Sequence, residues 1–285
     1  MVPAIHSANK KIPWPELLLP WQIARQLRLR GDLILQLTKR DVLVRYRGSF
    51  LGIFWSLLRP LFMLLVYTVV FGYIFESRLG THPQESKLDF ALALFCGLIV
   101  FDFLAECVAR APTLVLTNTN YVTKVVFPLE ILPVMVVGAA FTQLVISCVP
   151  LFVALVCVHG SVPITVLYLP IILVPLVLLC LGFTWLLASL GVFIRDINAV
   201  VPVLLTIVMY ASAIFYSISR VPPNLLPVVL SNPLALIIED ARNAVLWGMA
   251  PAWGRYGIVL AASAVVTIVG YAFFMRTKNA FADVL

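Results

Sequence analysis

Apolar runs about 20 residues long constrain this chain more than any other feature, because a helix of that length is what crosses the hydrocarbon core of a bilayer. Six such runs are read, at roughly 51–75, 90–109, 130–157, 164–193, 199–217 and 255–275. A membrane β-barrel would alternate in segments of about ten residues. LVPLVLLCLGFTWLLASLGVF has no period of two and is apolar all round. The expected fold class is therefore an all-α integral membrane protein with six transmembrane helices. Only 12% of the 285 residues are charged, about half the share of a soluble domain, which excludes an ordinary soluble enzyme. Pro133, Pro150, Pro170 and Pro175 predict tilts or kinks in the third and fourth runs.

Charge placement sets the expected orientation. Half of the 20 Lys and Arg residues, from Lys10 to Arg59, precede or open the first run, so the N-terminus is expected in the cytoplasm. Six crossings then return the C-terminus to the same side. Trp14 and Trp21 would sit at the inner headgroup level, and Trp247 and Trp253 at the outer one. A net charge of +7 in so apolar a chain points to membrane orientation and anionic headgroups, with no nucleic-acid partner. Residues 1–31 read as a cytoplasmic segment, 32–49 as an amphipathic interface helix and 50–285 as the six-span domain.

Little in the chain suggests bond-making chemistry. The five cysteines lack any CxxC spacing and read as small buried hydrophobes, while His6, His82 and His159 stand apart in sequence. No metal site and no catalytic residue are expected. No GxxxxGK[ST] occurs, so ATP and its magnesium must be used by a partner, and this chain is expected to bind no cofactor.

Four stretches carry more specific readings. In DLILQLTKRDVLVRYR, from Asp32 to Arg47, the residues Asp32, Gln36, Lys39, Arg40 and Arg47 share one sector of a helix suited to the membrane surface. In the second run Asp102, Glu106 and Arg110 recur every four residues along one stripe, with Asp102 deep and Glu106 able to pair with Arg110. NTNYVTKVVFPLEILP opens with helix-start residues and resembles a short docking element, with an exposed Tyr121 and Lys124 and an end before Pro128. The stretch after the fifth run restarts at Asn232-Pro233, a cap followed by proline. It predicts two short outer-side helices that re-enter or lie on the leaflet, with Glu239, Asp240 and Arg242 satisfying one another.

The segments LTKRDVLVRYRGSFLGIFWSLLRPL, FCGLIVFDFLAE, NTNYVTKVVFPLEILP and LSNPLALIIEDARNAVLWG together resemble the type-2 ABC transporter permeases that export polysaccharides such as O-antigen, teichoic acid and capsule. They follow the family's order over about residues 30 to 250. FDF at 101–103 departs from it, since the family often carries an aromatic followed by Asn. The resemblance implies a homodimer in a bacterial inner membrane, bound to two copies of a P-loop ATPase subunit. The implied substrate is a lipid-linked polysaccharide, with O-antigen on undecaprenyl diphosphate preferred. The alternatives are a type-2 exporter of a drug or small lipid and, further off, a membrane glycosyl- or acyltransferase.

Under that resemblance Asn120, Tyr121, Lys124, Phe127 and Pro128 are the expected ATPase-coupling residues. A sugar polymer slides best along aromatic rings that hold it weakly. Phe54, Trp55, Tyr67, Phe71, Phe101 and Phe103, with Asp102 and Glu106, are the channel-lining candidates. The diphosphate needs planar, bidentate donors at headgroup depth. Arg45, Arg47 and Arg59 are the candidates, and ordinary snorkelling accounts for the same positions.

Overall fold

A computed structural model describes residues 20–45, 47–48, 50–74, 86–123 and 127–284. These residues contain no strand. Two helices come first, α1 (Pro20–Leu29) and α2 (Gly31–Arg45). They are followed by α3 (Trp55–Tyr67), α4 (Lys87–Arg110) and the one-turn α5 (Thr119–Thr123). Next are α6 (Ile131–His159), α7 (Leu169–Phe193) and α8 (Ile197–Ala211). The chain closes with α9 (Leu226–Leu230), α10 (Pro233–Val245), α11 (Trp253–Thr277) and α12 (Phe281–Val284).

Five segments are long and apolar enough to cross a membrane: Gly52–Phe71, Leu88–Arg110, Ile131–His159, Ile164–Phe193 and Trp253–Val284. The fifth run of the sequence differs. Its apolar residues continue to 217, but the helix stops at Ala211 and Ala213 takes a φ of 54°. At 1.5 Å per residue α8 is only about 22 Å long. A helix that ends among apolar neighbours leaves carbonyls without partners, and two side chains of the following segment supply them. Asn232 donates to Ala211 O and Ser212 Oγ while its own oxygen caps α10 at Leu234. Arg242, only 2% exposed, donates to Ala93 O at 2.8 Å, to Ala213 O at 2.7 Å and to Ile214 O. Arg242 thus serves three backbone carbonyls, while its charge also lies close enough to favour the Glu239 carboxylate, as the local sequence suggests. Gly97 makes room for it, since a Cβ there would stand 2.7 Å from the guanidinium.

At two of the prolines inside helices, side chains from a neighbouring helix replace the hydrogen bond that the proline removes. Pro60 has no N–H for the Ser56 carbonyl, and Gln143 of α6 donates to that oxygen at 2.9 Å. Pro175 frees the Ile171 carbonyl, which receives the Tyr256 hydroxyl of α11 at 3.0 Å. Helices α7 and α11 make the most extensive contact in the fold. They cross so closely that a Cβ on Gly270 would lie 2.2 Å from Gly182 O, and one on Gly182 would lie 2.6 Å from Val266 O. Small residues at the crossing are the usual device where no aqueous hydrophobic effect drives association.

At the end of the bundle where α4 finishes and α6 begins, here called the basal end, α2 lies against α6. Leu37 is buried and Thr38 packs on Gly138, where a Cβ would meet Thr38 Oγ1 at 2.9 Å. Helix α2 starts at Gly31, one residue before the expected start at 32, and ends at Arg45, short of the expected end at 49. Part of its apolar face is covered by protein, while Leu35 and Val44 stay exposed.

Candidate functional site

A cavity of about 510 Å³ lies where α2, α3, α4 and α6 converge. Arg45 reaches it from α2, Arg59 and Tyr67 from α3, Asp102, Phe103, Glu106 and Arg110 from α4, and Gln143 and Ser147 from α6. The four-residue stripe read from sequence is thus one wall of the cavity. Pro60 also lines it, at the turn where α3 needs Gln143 for its missing hydrogen bond.

Four charges knit α2 to this wall. Asp41 accepts two hydrogen bonds from Arg110, at 2.9 and 2.7 Å. Arg45 meets Glu106 at 2.5 Å and Asp41 at 3.6 Å, and Arg110 lies 3.7 Å from Glu106. Bidentate guanidinium–carboxylate pairing of this kind fixes orientation as well as distance. Arg59 and Asp102, by contrast, form no ion pair among the described residues, and both are exposed to the cavity side. The cavity therefore presents a guanidinium and a carboxylate outside any ion pair among the described residues, an amide, and three aromatic rings, those of Tyr67, Phe95 and Phe103. Such groups bind phosphate and hydroxyl oxygens and the apolar faces of sugar rings. Among the described residues no cluster of three His, Cys, Asp or Glu is placed to hold a metal ion.

The remaining sequence candidates fall elsewhere. Arg47 is exposed in the turn after α2 and does not line the cavity. Phe54 and Trp55 are 67% and 43% exposed at the start of α3. Phe71 packs between Phe90 and Phe215, with ring centroids 5.9 and 6.5 Å away. Phe101 is buried in the core. Phe103 both lines the cavity and stacks edge-on against Phe141 at 6.1 Å.

The short element expected to dock a partner forms a 3-10 turn at Leu116–Asn118 that runs into α5. Asn118 closes the preceding turn by donating to Leu114 O at 2.9 Å. Asn120 is exposed. Tyr121, expected exposed, is half-buried: its ring stacks on Phe127 at 4.3 Å, and its hydroxyl accepts from Arg40 of α2 at 2.9 Å. An apolar ring beside an apolar partner gains more by stacking than by facing water. Lys124 lies outside the described residues, and Pro128 accepts from Ile131 N as α6 begins.

Glu130, in the FPLEILP stretch, joins pieces that sequence reasoning left apart. Its side chain is 4% exposed and meets Arg30, at the break between α1 and α2, and Lys278, which follows α11, at 3.4 Å. Its carbonyl accepts the indole N–H of Trp185 at 3.0 Å. Burial pushes the Glu130 carboxyl up. The Lys278 charge, a bond to its own backbone N–H and Arg30 outweigh that and hold it below the usual carboxylate range. Nearby, α12 seats Phe281 against Phe274 and Phe193 and touches α5. On the loop side of α10, burial raises Glu239 and Asp240 above the ordinary carboxylate value.

A bundle with five helices long and apolar enough to cross a membrane, holding a charged cavity beside α2, is the architecture of an integral membrane protein. The chain belongs to the ABC-2 type transporter family, whose model matches residues 32–246. It is 26% identical to the O-antigen export system permease protein RfbA of Klebsiella pneumoniae, over 89% of this chain and 95% of that protein. The protein of the same name from Myxococcus xanthus is 28% identical over 70% of this chain and 74% of its own length. The polysialic acid transport protein KpsM of Escherichia coli is 24% identical over 73% and 79%.

Proposed function

We propose that this chain is the permease subunit of an ABC exporter that carries a lipid-linked polysaccharide of the O-antigen class out across a bacterial inner membrane. The observation that carries the reading is the near full-length similarity to an O-antigen export permease, covering 89% of this chain. The chain crosses six times. Helix α8 is the short fifth crossing, completed on the outer side by α10, which re-enters against α4 and α7, with α9 packed on α10. Both termini are then cytoplasmic, and the basal end faces the ATPase.

Two copies of the permease bind two copies of a P-loop ATPase, which uses ATP and magnesium. Its thrust enters through Asn120, Tyr121, Lys124, Phe127 and Pro128. The polymer passes between the permease copies, and the cavity takes the carrier diphosphate with the adjoining sugar. Arg59 is the cation best able to meet a phosphate there, because Arg45 and Arg110 are already held by Glu106 and Asp41. Tyr67 and Phe103 offer rings to the sugar, and Asp102 and Gln143 accept or donate to its hydroxyls.

The test is removal of the chain from its host. Surface polymer should disappear while lipid-linked polymer accumulates inside, and restoring the chain with its ATPase should reverse both. Normal surface polymer without the chain would overturn the proposal.

A further inference from the structure

Two neighbouring residues of α2 hold partners in different places. Arg40 donates to the Tyr121 hydroxyl at 2.9 Å and has its guanidinium carbon 5.9 Å from the centre of that ring. Asp41, the next residue, accepts both bonds from Arg110 in the cavity wall and lies 3.6 Å from Arg45, another wall residue. Asp41 itself does not line the cavity. On a helix two successive side chains point about 100° apart and cannot turn independently. A rotation or shift of α2 that releases Arg110 must therefore drag Arg40 across Tyr121.

The far end of the same helix is fixed differently. Arg30 is anchored on the buried Glu130 carboxylate, and Thr38 sits on Gly138 with no spare room. Helix α2 is thus pivoted at its start and middle. Towards its last turn, the ion pairs Asp41–Arg110 and Arg45–Glu106 tie it to the cavity wall. Charge-assisted pairs are what an incoming anion competes for, since a phosphate offers the same guanidinium two oxygens in the same plane.

We infer that α2 is a lever that reports occupancy of the cavity to the α5 element, with Asp41 as the positioning residue. In the latched state Asp41 holds Arg110 and Arg45, and Arg40 holds Tyr121. A phosphate-bearing ligand that has met Arg59 then draws Arg110 or Arg45 from the carboxylates, the last turn of α2 moves, and the Arg40–Tyr121 contact changes. Coupling of this kind is reciprocal: displacement of Tyr121 by a partner at α5 loosens Asp41 and changes affinity in the cavity. The phosphate as ligand rests on the function proposed above; the lever itself rests on the helix geometry.

The experiment uses the full permease with its ATPase in proteoliposomes, comparing wild type with Asp41→Asn and Arg40→Gln. The probe is undecaprenyl diphosphate, and three quantities are read: probe binding, stimulation of ATP hydrolysis by the probe, and polymer moved per ATP. Asp41→Asn should bind the probe at least as tightly as wild type, because Arg110 is unmasked, yet lose about fivefold or more of its stimulation. Arg40→Gln, which unlatches α2 from Tyr121, should also bind the probe at least as tightly as wild type and lose stimulation similarly. A purely structural role would lower binding and stimulation together and leave polymer moved per ATP unaltered. Absence of probe binding to wild type would overturn the diphosphate reading alone. Unchanged polymer moved per ATP in both variants would overturn the lever whatever the ligand.

Discussion

Replacing Glu130 by Gln is a severe test of how the basal end is held. The carboxylate is 4% exposed, whereas its partners Arg30 and Lys278 keep 36% and 27% of their side-chain surface. Breaking a fully buried pair costs about 3–5 kcal/mol. Here both cations can rehydrate and Gln keeps an acceptor oxygen, so the expected loss is about 1–3 kcal/mol. Thermal unfolding of the purified permease in detergent should fall by several degrees. The pH dependence has a definite sign. Glu130 titrates lower in the folded chain than its ordinary value of 4.5. Its contribution is therefore complete above that value and is lost as pH falls through the lowered one. The advantage of wild type over the variant should be constant around neutral pH and shrink in acid. Equal unfolding temperatures at neutral pH, or an advantage that grows on acidification, would refute the reasoning.

Other perturbations separate the parts of the account. Gly270→Ala should destabilise the α7–α11 crossing despite Ala's better helix propensity, by about 2 kcal/mol, because a Cβ there meets backbone at 2.2 Å. A wild-type unfolding temperature would contradict the close approach. Arg242→Met should strip the side-chain donor from the Ala213 and Ile214 carbonyls beyond the end of α8 and reduce the amount of folded permease recovered from membranes; full recovery would contradict its capping role. Arg59→Lys should lower surface polymer per permease molecule while Arg47→Lys should not, since only Arg59 lines the cavity; full export by both would favour snorkelling.

Helix periodicity and length were enough to read the membrane class and the placement of five long helices, because apolar runs of that length have one stable use in a bilayer. The stop of α8 at Ala211 carries no such signal. The turn uses Ala213 at positive φ, where a glycine would have marked it. Arg242 was read with Glu239 and Asp240 because they are its neighbours in sequence. One of its acceptors, Ala93 O, is 149 residues away.

The basic residues of α2 illustrate the same divide. Arg47, read into their shared sector, lies in the turn beyond Arg45, and Asp41–Arg110 and Arg30–Glu130 span 69 and 100 residues, distances over which composition says nothing about pairing. FPLEILP stood out as a motif, yet the reason for its Glu lies in Arg30 and Lys278, which only the folded chain brings together.

The most direct test of the central claim is transport by purified components. The permease and its ATPase are placed in sealed vesicles, with a lipid-linked O-antigen-type polymer added to the leaflet on the ATPase side. Polymer on the opposite leaflet is then measured by accessibility to a glycan-cleaving enzyme. The account predicts that polymer appears on the far side only with ATP and magnesium, and only when both subunits are present. Transfer that proceeds without ATP, or its absence when both subunits hydrolyse ATP normally, would contradict it.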